Sequence, residues 1–284
     1  MVFKQPENGG RLVKKVLVTG ANGMLGQDLC PMFSNAGFEV IKTDVDTLDI
    51  TNQEQVNQVI NESKADFVIH CAAYTNVDKA EEDFETAKLI NATGSENLAL
   101  ACEKNNVTMI YISTDYVFDG EKTEAYLPTD DTNPINNYGL TKLMGEVAVQ
   151  EICTKYYIAR TSWLYGHYGK NFVETMISLK DNLNLKVVDD QVGCPTWTRD
   201  LVSGILALIQ EEKEYGVYHL CGGGSTSWYG FAKEVGVNPK PCATDEFPRP
   251  AKRPMNSIMD NGGSLRDWKL ALKDYMDLRE EVLG

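Results

Sequence analysis

A turn with three regularly spaced glycines, Gly20, Gly23 and Gly26, limits the fold of this chain more than any other feature. The apolar residues 16–18 come directly before the turn and a helical pattern follows it, so the order is strand, tight turn and helix. In such a unit Gly20 would permit the turn, Gly23 would let a pyrophosphate reach the amides at the helix start, and Gly26 would let helix and strand pack closely. A glycine turn without a ligand is the simpler alternative. Asp44, 24 residues after Gly20, favours a dinucleotide site because its carboxylate could accept hydrogen bonds from an adenosine ribose.

Strands and helices alternate through the first half of the chain. The predicted strands are residues 14–19, 38–43, 67–71, 108–112 and 156–160. Helices are predicted around residues 53–63, through the stretch that carries Leu89, Leu98 and Leu100, and around Tyr138. This alternation predicts right-handed crossovers and an α/β fold with a doubly wound parallel sheet, the Rossmann architecture.

The alternation becomes irregular after Thr161. Helices are predicted at residues 171–180, 200–210, 228–235 and 267–282, with short strands near 186–188 and 216–220. We therefore predict three segments: a flexible extension at residues 1–13, an NAD(P)-binding Rossmann domain at 14–160, and a smaller, mixed C-terminal substrate lobe at 161–284. Residues of about 195–220 are expected to return to the Rossmann domain.

The composition of the chain limits the kinds of partner it is expected to bind and indicates its cellular compartment. With 43% hydrophobic residues among 284, the chain can bury a large core. Its formal net charge of −14 disfavours nucleic acid and anionic membranes, so a phosphate-bearing ligand needs a local group of cations. Seven scattered Cys indicate reduced thiols in a cytoplasmic protein, and three separated His predict no metal site. No apolar run approaches the roughly 18 residues of a membrane helix, and no signal-peptide core is present.

Tyr138 and Lys142 lie four residues apart on a predicted helix, so their side chains share one face. A phenol with a pKa near ~10 exchanges protons poorly at neutral pH, and a neighbouring cation would lower that pKa. Tyr229 and Lys233 have the same spacing, and about one such pair is expected by chance. Thr114 follows a strand at the rim where open α/β sheets bind ligands, and could donate to a carbonyl that Tyr138 protonates. A threonine that only caps the next turn is the alternative.

These residues together resemble the extended short-chain dehydrogenase/reductase family, whose members act on nucleotide-linked sugars. The resemblance rests on the glycine turn with Thr114, Tyr138 and Lys142, and it covers the chain from about residue 14 to the C-terminus. Longer stretches make it similar to the family members that reduce dTDP-4-dehydrorhamnose, namely residues 72–81, 113–120, 160–163, 190–196 and 253–257.

The resemblance implies a role for each matching residue. Residues implied to bind NADPH or NADH are Gly20, Gly23, Met24, Leu25, Gly26, Asp44, Asp49, Ile50, Ala73, Tyr74, Thr75, Tyr138 and Lys142. The implied catalytic residues are Thr114, Tyr138 and Lys142, and the implied substrate-binding residues are Thr114, Asp115, Trp163 and Arg253. Asp44 favours the cofactor without a 2′-phosphate, whereas Lys15 and Lys42 keep NADPH open. Cations expected near the sugar diphosphate, or else solvated at the surface, are Lys170, Arg249, Lys252 and Arg253.

The implied activity is NAD(P)H-dependent reduction of the C4 ketone of dTDP-4-dehydro-L-rhamnose to dTDP-L-rhamnose, the last step of dTDP-rhamnose synthesis. Another nucleotide-sugar reductase, an epimerase or a dehydratase on the same scaffold is the first rival. Dehydratases of this family commonly carry an adjacent carboxylate pair, whereas this chain has Asp115 followed by Tyr116. A non-catalytic NADP-binding regulatory subunit is the second rival, which the complete set of Thr114, Tyr138 and Lys142 disfavours. A homodimer is compatible with the resemblance.

Overall fold

The fold of residues 13–283, described by a computed structural model, alternates strands and helices along the chain. The strands are β1 (Lys15–Thr19), β2 (Glu39–Thr43), β3 (Phe67–His70), β4 (Thr108–Thr114), β5 (Tyr156–Thr161), β6 (Leu164–Tyr165), β7 (Lys186–Val188), β8 (Val192–Gly193), β9 (Thr196–Trp197), β10 (Gly216–His219), β11 (Thr226–Ser227) and β12 (Lys240–Cys242). The helices are α1 (Met24–Asn35), α2 (Gln53–Ser63), α3 (Lys79–Glu82), α4 (Phe84–Lys88), α5 (Gly94–Lys104), α6 (Asn137–Ile152), α7 (Phe172–Ser178), α8 (Thr198–Gln210), α9 (Trp228–Glu234) and α10 (Trp268–Leu283). The extension predicted at residues 1–13 lies outside the described residues, apart from Val13.

A parallel sheet with the strand order β10-β5-β4-β3-β1-β2 organises the described residues. Its strands pair in parallel throughout, with β1 between β2 and β3. The chain leaves β1 towards β2 and then crosses to β3 on the other side, which makes the space between β1 and β3 the switch point of the sheet. The predicted doubly wound α/β fold is therefore confirmed.

Apolar residues of the strands alternate between two cores, one on each face of the sheet. Val16 and Val18 pack with α1 and α8, through side chains such as Leu29 and Leu201. Leu17 points to the opposite face and packs with α2, α5 and α6, through side chains such as Ile60 and Leu98. Burial on both faces explains why these strands are almost continuously apolar.

The second half of the chain contributes to two regions. Within it, α8 packs against α1, and β10 pairs with β5 in the main sheet. Asp28 of α1 fixes this return, because its carboxylate accepts hydrogen bonds from Thr198 Oγ1 at 2.5 Å and from Arg199 Nε at 3.2 Å. The other elements form a separate aromatic core around Tyr165, Phe231 and Tyr275.

Three further features of the described residues concern the state of the cysteines, metal binding and membrane-spanning helices. All seven Cys are free thiols, in line with the prediction of reduced cysteines. Within residues 13–283, no group of three or more His, Cys, Asp or Glu is arranged to hold a metal ion. No helix in the same range has the length and apolarity that crossing a membrane requires.

Candidate active site

A cleft of about 830 Å³ opens at the carboxyl ends of the central strands. It brings together most of the residues that the sequence singled out, namely Gly20, Gly23, Met24, Leu25, Gly26, Asp44, Asp49, Ile50, Ala73, Thr75, Thr114, Asp115, Tyr138, Lys142 and Trp163. Tyr74 and Arg253 do not line it. The second pair with the same spacing, Tyr229 and Lys233, lies on α9 outside the cleft, and Lys233 donates to Asn238 Oδ1 at 2.7 Å.

The glycine turn closes one end of this cleft and has the shape of a phosphate cradle. Gly20 has φ +66, and a Cβ there would lie 2.7 Å from the backbone nitrogen of Ala72. A Cβ on Gly26 would lie 2.5 Å from the carbonyl oxygen of Gly20, so helix α1 can approach the turn only without a side chain. Gly23 precedes α1 and no side chain caps the first amides of the helix. The exposed amides at the positive end of α1 fit an anionic pyrophosphate.

Asp44 stands beside the turn with its carboxylate held in place. Its Oδ2 accepts from the amide of Asn22, and its Oδ1 accepts from the amide of Val45, both at 2.8 Å. Each carboxylate oxygen keeps a further lone pair for a ligand hydroxyl. Lys15, expected near this site, lies instead at the opposite end of β1 and pairs with Glu39 at 2.9 Å. Lys15 is the first residue of β1, whereas the cleft opens beyond the last residue of the strand, so the Lys15 side chain cannot reach the cleft.

Thr114, Tyr138 and Lys142 meet where β4 ends and α6 begins. Helix α6 starts after Asn136, whose Oδ1 accepts from the amide of Gly139 at 2.8 Å. The hydroxyl of Thr114 donates to Asp115 Oδ1 at 3.0 Å and accepts from the amide of Tyr116 at 3.2 Å, and Thr114 lines the same cleft as Tyr138. Thr114 therefore caps the following turn, and its catalytic role stays a prediction.

The electrostatics of Tyr138 and Lys142 differ from the expectation. Burial raises the pKa of Tyr138 to about 12, and the neighbouring Thr114 hydroxyl opposes this rise. Burial lowers the pKa of Lys142 to about 7, opposed by the attraction of Glu146. The Lys142 ammonium lies over the Tyr111 ring, 4.0 Å from its centroid, and does not lower the Tyr138 pKa as predicted. Tyr138 consequently stays protonated at neutral pH, which suits a proton donor.

Asp115 is a buried carboxylate in the wall of the cleft, with only 3% of its surface exposed. Its Oδ1 accepts from Thr114 Oγ1 at 3.0 Å, whereas its buried Oδ2 has no hydrogen-bond partner among the described residues. Burial raises the pKa of Asp115 to about 6, and the neighbouring hydroxyls of Ser257 and Thr114 oppose this rise. The acceptor capacity left on this carboxylate suits a polar ligand in the cleft.

Trp163 forms the wall on the side of the smaller lobe. Its backbone has φ +46, a left-handed conformation that a tryptophan adopts only under constraint from its surroundings. The indole stacks on Trp228 with ring centroids 3.5 Å apart and an interplanar angle of 5°. One face of Trp163 is thus covered by Trp228, and Trp163 also contributes to the lining of the cleft.

The cations proposed for a sugar diphosphate are dispersed. Arg253 Nη1 contacts Asp78 Oδ1 at 2.5 Å, and Arg249 Nη1 lies 3.8 Å from the same carboxylate. Arg253 also lies near Tyr116, whose ring meets Tyr138 edge-on at 5.8 Å between centroids. Lys252 is exposed outside the cleft, and Lys170 lines it. Arg253 therefore stands one aromatic ring away from Tyr138, with its charge balanced by Asp78.

Sequence reasoning missed two buried residues that support the site. Asn91 lies in a π-helical turn at Leu89–Thr93, where it hydrogen-bonds the amide and the carbonyl of Tyr74 at 2.8 and 3.1 Å. Its Nδ2 also donates to Thr141 Oγ1 at 3.0 Å, so it joins the cofactor side of the cleft to α6. Glu146, one helical turn after Lys142, pairs with Arg160. Its spacing from Tyr138 and Lys142 was the available signal, because all three fall on one face of a helix.

Comparison with known proteins places the chain among sugar-nucleotide enzymes. A family model described as the RmlD substrate binding domain matches residues 14–282. A curated protein of Burkholderia thailandensis named dTDP-4-dehydrorhamnose reductase is 38% identical, over 91% of this chain and 96% of its own length.

Solved structures give the same result. The dTDP-4-dehydrorhamnose reductase of Bacillus anthracis, in complex with NADP, has a TM-score of 0.90 and 41% identity, covering 94% of this chain and 99% of its own. A dTDP-4-dehydrorhamnose reductase from Clostridium acetobutylicum has a TM-score of 0.90 and 48% identity, with the same coverage of 94% and 99%. These matches confirm the resemblance drawn from the motifs. The chain belongs to the family defined by the RmlD substrate binding domain.

Proposed function

We propose that this chain is an NAD(P)H-dependent reductase that converts the C4 ketone of dTDP-4-dehydro-L-rhamnose to the alcohol of dTDP-L-rhamnose. The observation that carries the proposal is the meeting of Thr114, Tyr138 and Lys142 in one cleft with the glycine turn. Relatives with this reductase name, which match more than nine-tenths of the chain, support the choice of substrate.

The cofactor half of the cleft has groups suited to each part of a dinucleotide. The turn at Gly20 to Gly26 and the first amides of α1 would hold the pyrophosphate, and Asp44 the adenosine ribose. Asp49 and Ile50 would flank the adenine, Ala73 and Thr75 would line the path of the cofactor, and Lys142 would bind the second ribose. Bound NAD(P)H supplies the hydride that a ketone carbon accepts.

Proton delivery falls to Tyr138. As negative charge develops on the ketone oxygen, Tyr138 donates its proton to it. Thr114 would turn its O–H from Asp115 Oδ1 and donate a hydrogen bond to the same oxygen. Lys142 would act through the second ribose of the cofactor, which its charged ammonium would hold, so the protonation state of Lys142 matters to the rate. The high pKa of Tyr138 keeps the proton in place until that moment.

The sugar is assigned to the other half of the cleft. Asp115 offers acceptor oxygens to sugar hydroxyls, and the indole of Trp163 offers an apolar surface that suits a deoxy sugar. Lys170 is the cation that lines the cleft on this side. We assign the dinucleotide to residues 14–160 together with α8 and β10, and the sugar mainly to the rest of 161–284.

The rival activities lack support in the site. Asp115 is followed by Tyr116, a partly buried phenol whose pKa is raised above its usual range, so no adjacent carboxylate pair is available for dehydration. A purely regulatory role would not require Thr114, Tyr138 and Lys142 to line one cleft. For the compartment and partners, we propose a cytoplasmic enzyme that binds no nucleic acid, given its net charge of −14, and that works as a homodimer.

The test is to follow NAD(P)H absorbance with dTDP-4-dehydro-L-rhamnose and to identify the product. Stoichiometric oxidation of the cofactor with formation of dTDP-L-rhamnose is expected. Product without net cofactor consumption would indicate an epimerase. Cofactor binding without oxidation by any dTDP-4-keto sugar would favour the regulatory subunit.

A further inference from the structure

We propose that Glu146 is a positioning residue for this reaction, because it clamps the catalytic helix α6 to the ends of β4 and β5. The clamp fixes Tyr138 and Lys142 relative to Thr114. This inference rests on the proposed function and assigns Glu146, Arg160 and Ser113 a part in it.

Glu146 lies on the same face of α6 as Tyr138 and Lys142, one helical turn after Lys142. Tyr138, Lys142 and Glu146 are spaced four residues apart on α6, so they form one stripe along the helix. Glu146 is only 1% exposed, and Lys142 is 3% exposed. A movement of Glu146 along or around the helix axis would therefore carry both catalytic side chains with it.

Five hydrogen-bond contacts tie the stripe to the sheet, four of them through Glu146. Ser113 Oγ donates to Glu146 Oε1 at 2.5 Å, and Arg160 donates from Nε at 3.0 and 3.2 Å and from Nη2 at 2.7 Å. The fifth is from Tyr111 Oη to the carbonyl of Lys142 at 3.1 Å. Ser113 precedes Thr114 on β4 and is the register partner of Arg160 on β5. One carboxylate thus holds the ends of two strands and the face of the catalytic helix.

Arg160 is itself well fixed. Its Nη1 donates to the carbonyl of Pro128 at 3.4 Å, and its guanidinium lies over the Phe118 ring at 5.1 Å. Only 4% of Arg160 is exposed. Buried ion pairs of this kind contribute little net stability compared with apolar residues of similar volume, although they fix a unique geometry in some proteins. If Glu146 and Arg160 act by positioning, replacing both residues should lower turnover and leave the stability of the fold nearly unchanged.

Glu146 also faces Lys142, which gives the clamp an electrostatic signature. The groups around the Lys142 ammonium are His70 from β3, Cys71 directly after β3, Tyr111 from β4 and Glu146 from α6. His70 is held neutral, because burial lowers its pKa to about 3. Glu146 is the anion among them and raises the Lys142 pKa against burial. Loss of its charge should move the titration of Lys142 to lower pH.

The test compares three variants in the full-length protein. Glu146→Met combined with Arg160→Met removes the pair and keeps the volume, and it should unfold near the wild-type temperature while turnover falls at least tenfold, with sugar KM within about twofold. Ser113→Ala removes one contact only, and turnover should fall several-fold without loss of folding. Glu174→Met combined with Arg279→Met, which breaks the 2.6 Å contact between α7 and α10 outside the cleft, is the control and should leave turnover near wild type.

Glu146→Gln supplies a readout that does not need turnover. In protein labelled with carbon-13 at lysine Cε, NMR should show Lys142 titrating at lower pH than in the wild type. Wild-type turnover in both the double methionine variant and Ser113→Ala, or an unchanged Lys142 titration in Glu146→Gln, would overturn the proposal. If the wild-type protein reduces no dTDP-4-keto sugar, the proposed function fails, whereas the clamp is still decided by the NMR titration.

Discussion

Replacing Gly193 by alanine should weaken sugar binding and leave the cofactor half of the cleft intact. A methyl group at this position would come within 2.5 Å of Trp163 Cε2, 2.6 Å of Trp163 Nε1 and 2.8 Å of Ser257 Oγ. Because carbon atoms need about 3.5 Å, the indole must move by about 1 Å. That movement disturbs the stack on Trp228, where the centroids are 3.5 Å apart.

The size of the effect follows from the cost of overpacking. Such strain typically amounts to about 1–3 kcal/mol, and the same loss in sugar binding equals roughly a 5- to 150-fold rise in KM. Steady-state kinetics would measure KM for the dTDP sugar, and fluorescence titration would measure NADPH binding, which should stay within about twofold.

A matched control separates displacement of Trp163 from general overpacking. Gly204→Ala places a methyl group 2.9 Å from Leu265 Cδ2, in the core on the α8 side of the sheet. It should lower the melting temperature without changing KM for the sugar. If Gly193→Ala lowered the melting temperature but left the sugar KM unchanged, Trp163 would not form the sugar wall. An equal change of KM in both variants would refute the reasoning as well.

Three further predictions concern the cofactor side and the catalytic lysine. Because Lys142 is charged below its pKa of about 7 and neutral above it, kcat/KM for NADPH should fall as pH rises through that value, and a flat profile between pH 6 and about 9 would contradict this. Asp44→Asn removes the charge and replaces one of the two oxygens that accept from backbone amides, so the ratio of kcat/KM for NADPH over NADH should rise about tenfold, and an unchanged ratio would exclude Asp44 from cofactor choice. Gly26→Ala would press a methyl group to 2.5 Å from the Gly20 carbonyl oxygen, so NADPH affinity should fall by about tenfold or more in a fluorescence titration, and wild-type affinity would contradict the cradle.

Local patterns were sufficient for most of the fold. The helix predicted at residues 53–63 matches α2 (Gln53–Ser63), where Asn52 caps the first turn and Val56 and Ile60 share the buried face. The strand at 186–188 matches β7, and the strands of the sheet differ from prediction by one or two residues at their ends. Such elements follow from hydrophobic periodicity and turn chemistry, which are properties of short segments.

Long-range contacts explain what the patterns could not supply. The stretch through Leu89 and Leu100 was predicted as one helix, yet both side chains are 45% exposed and a π-helical turn interrupts the helix. The extra residue in that turn lets Asn91 reach the loop of Tyr74, which no local propensity encodes. The charge of Arg253 is balanced by Asp78, a residue far away in sequence.

The pKa values in the site also depend on long-range contacts that the sequence pattern does not contain. Spacing alone suggested that Lys142 lowers the pKa of Tyr138. Burial instead raises the Tyr138 pKa, and the aromatic face of Tyr111 attracts the ammonium. Spacing on a helix gives the shared face, but it gives neither burial nor the groups on the facing strand.

The central claim is that Tyr138 delivers the proton in a ketone reduction, and Tyr138→Phe tests it most directly. With dTDP-4-dehydro-L-rhamnose, turnover should fall about 10²- to 10⁴-fold, while the dissociation constant of NADPH changes little. Tyr229→Phe, the matched control on α9, should keep near wild-type turnover. Near-normal turnover in Tyr138→Phe together with loss of turnover in Tyr229→Phe would contradict the account.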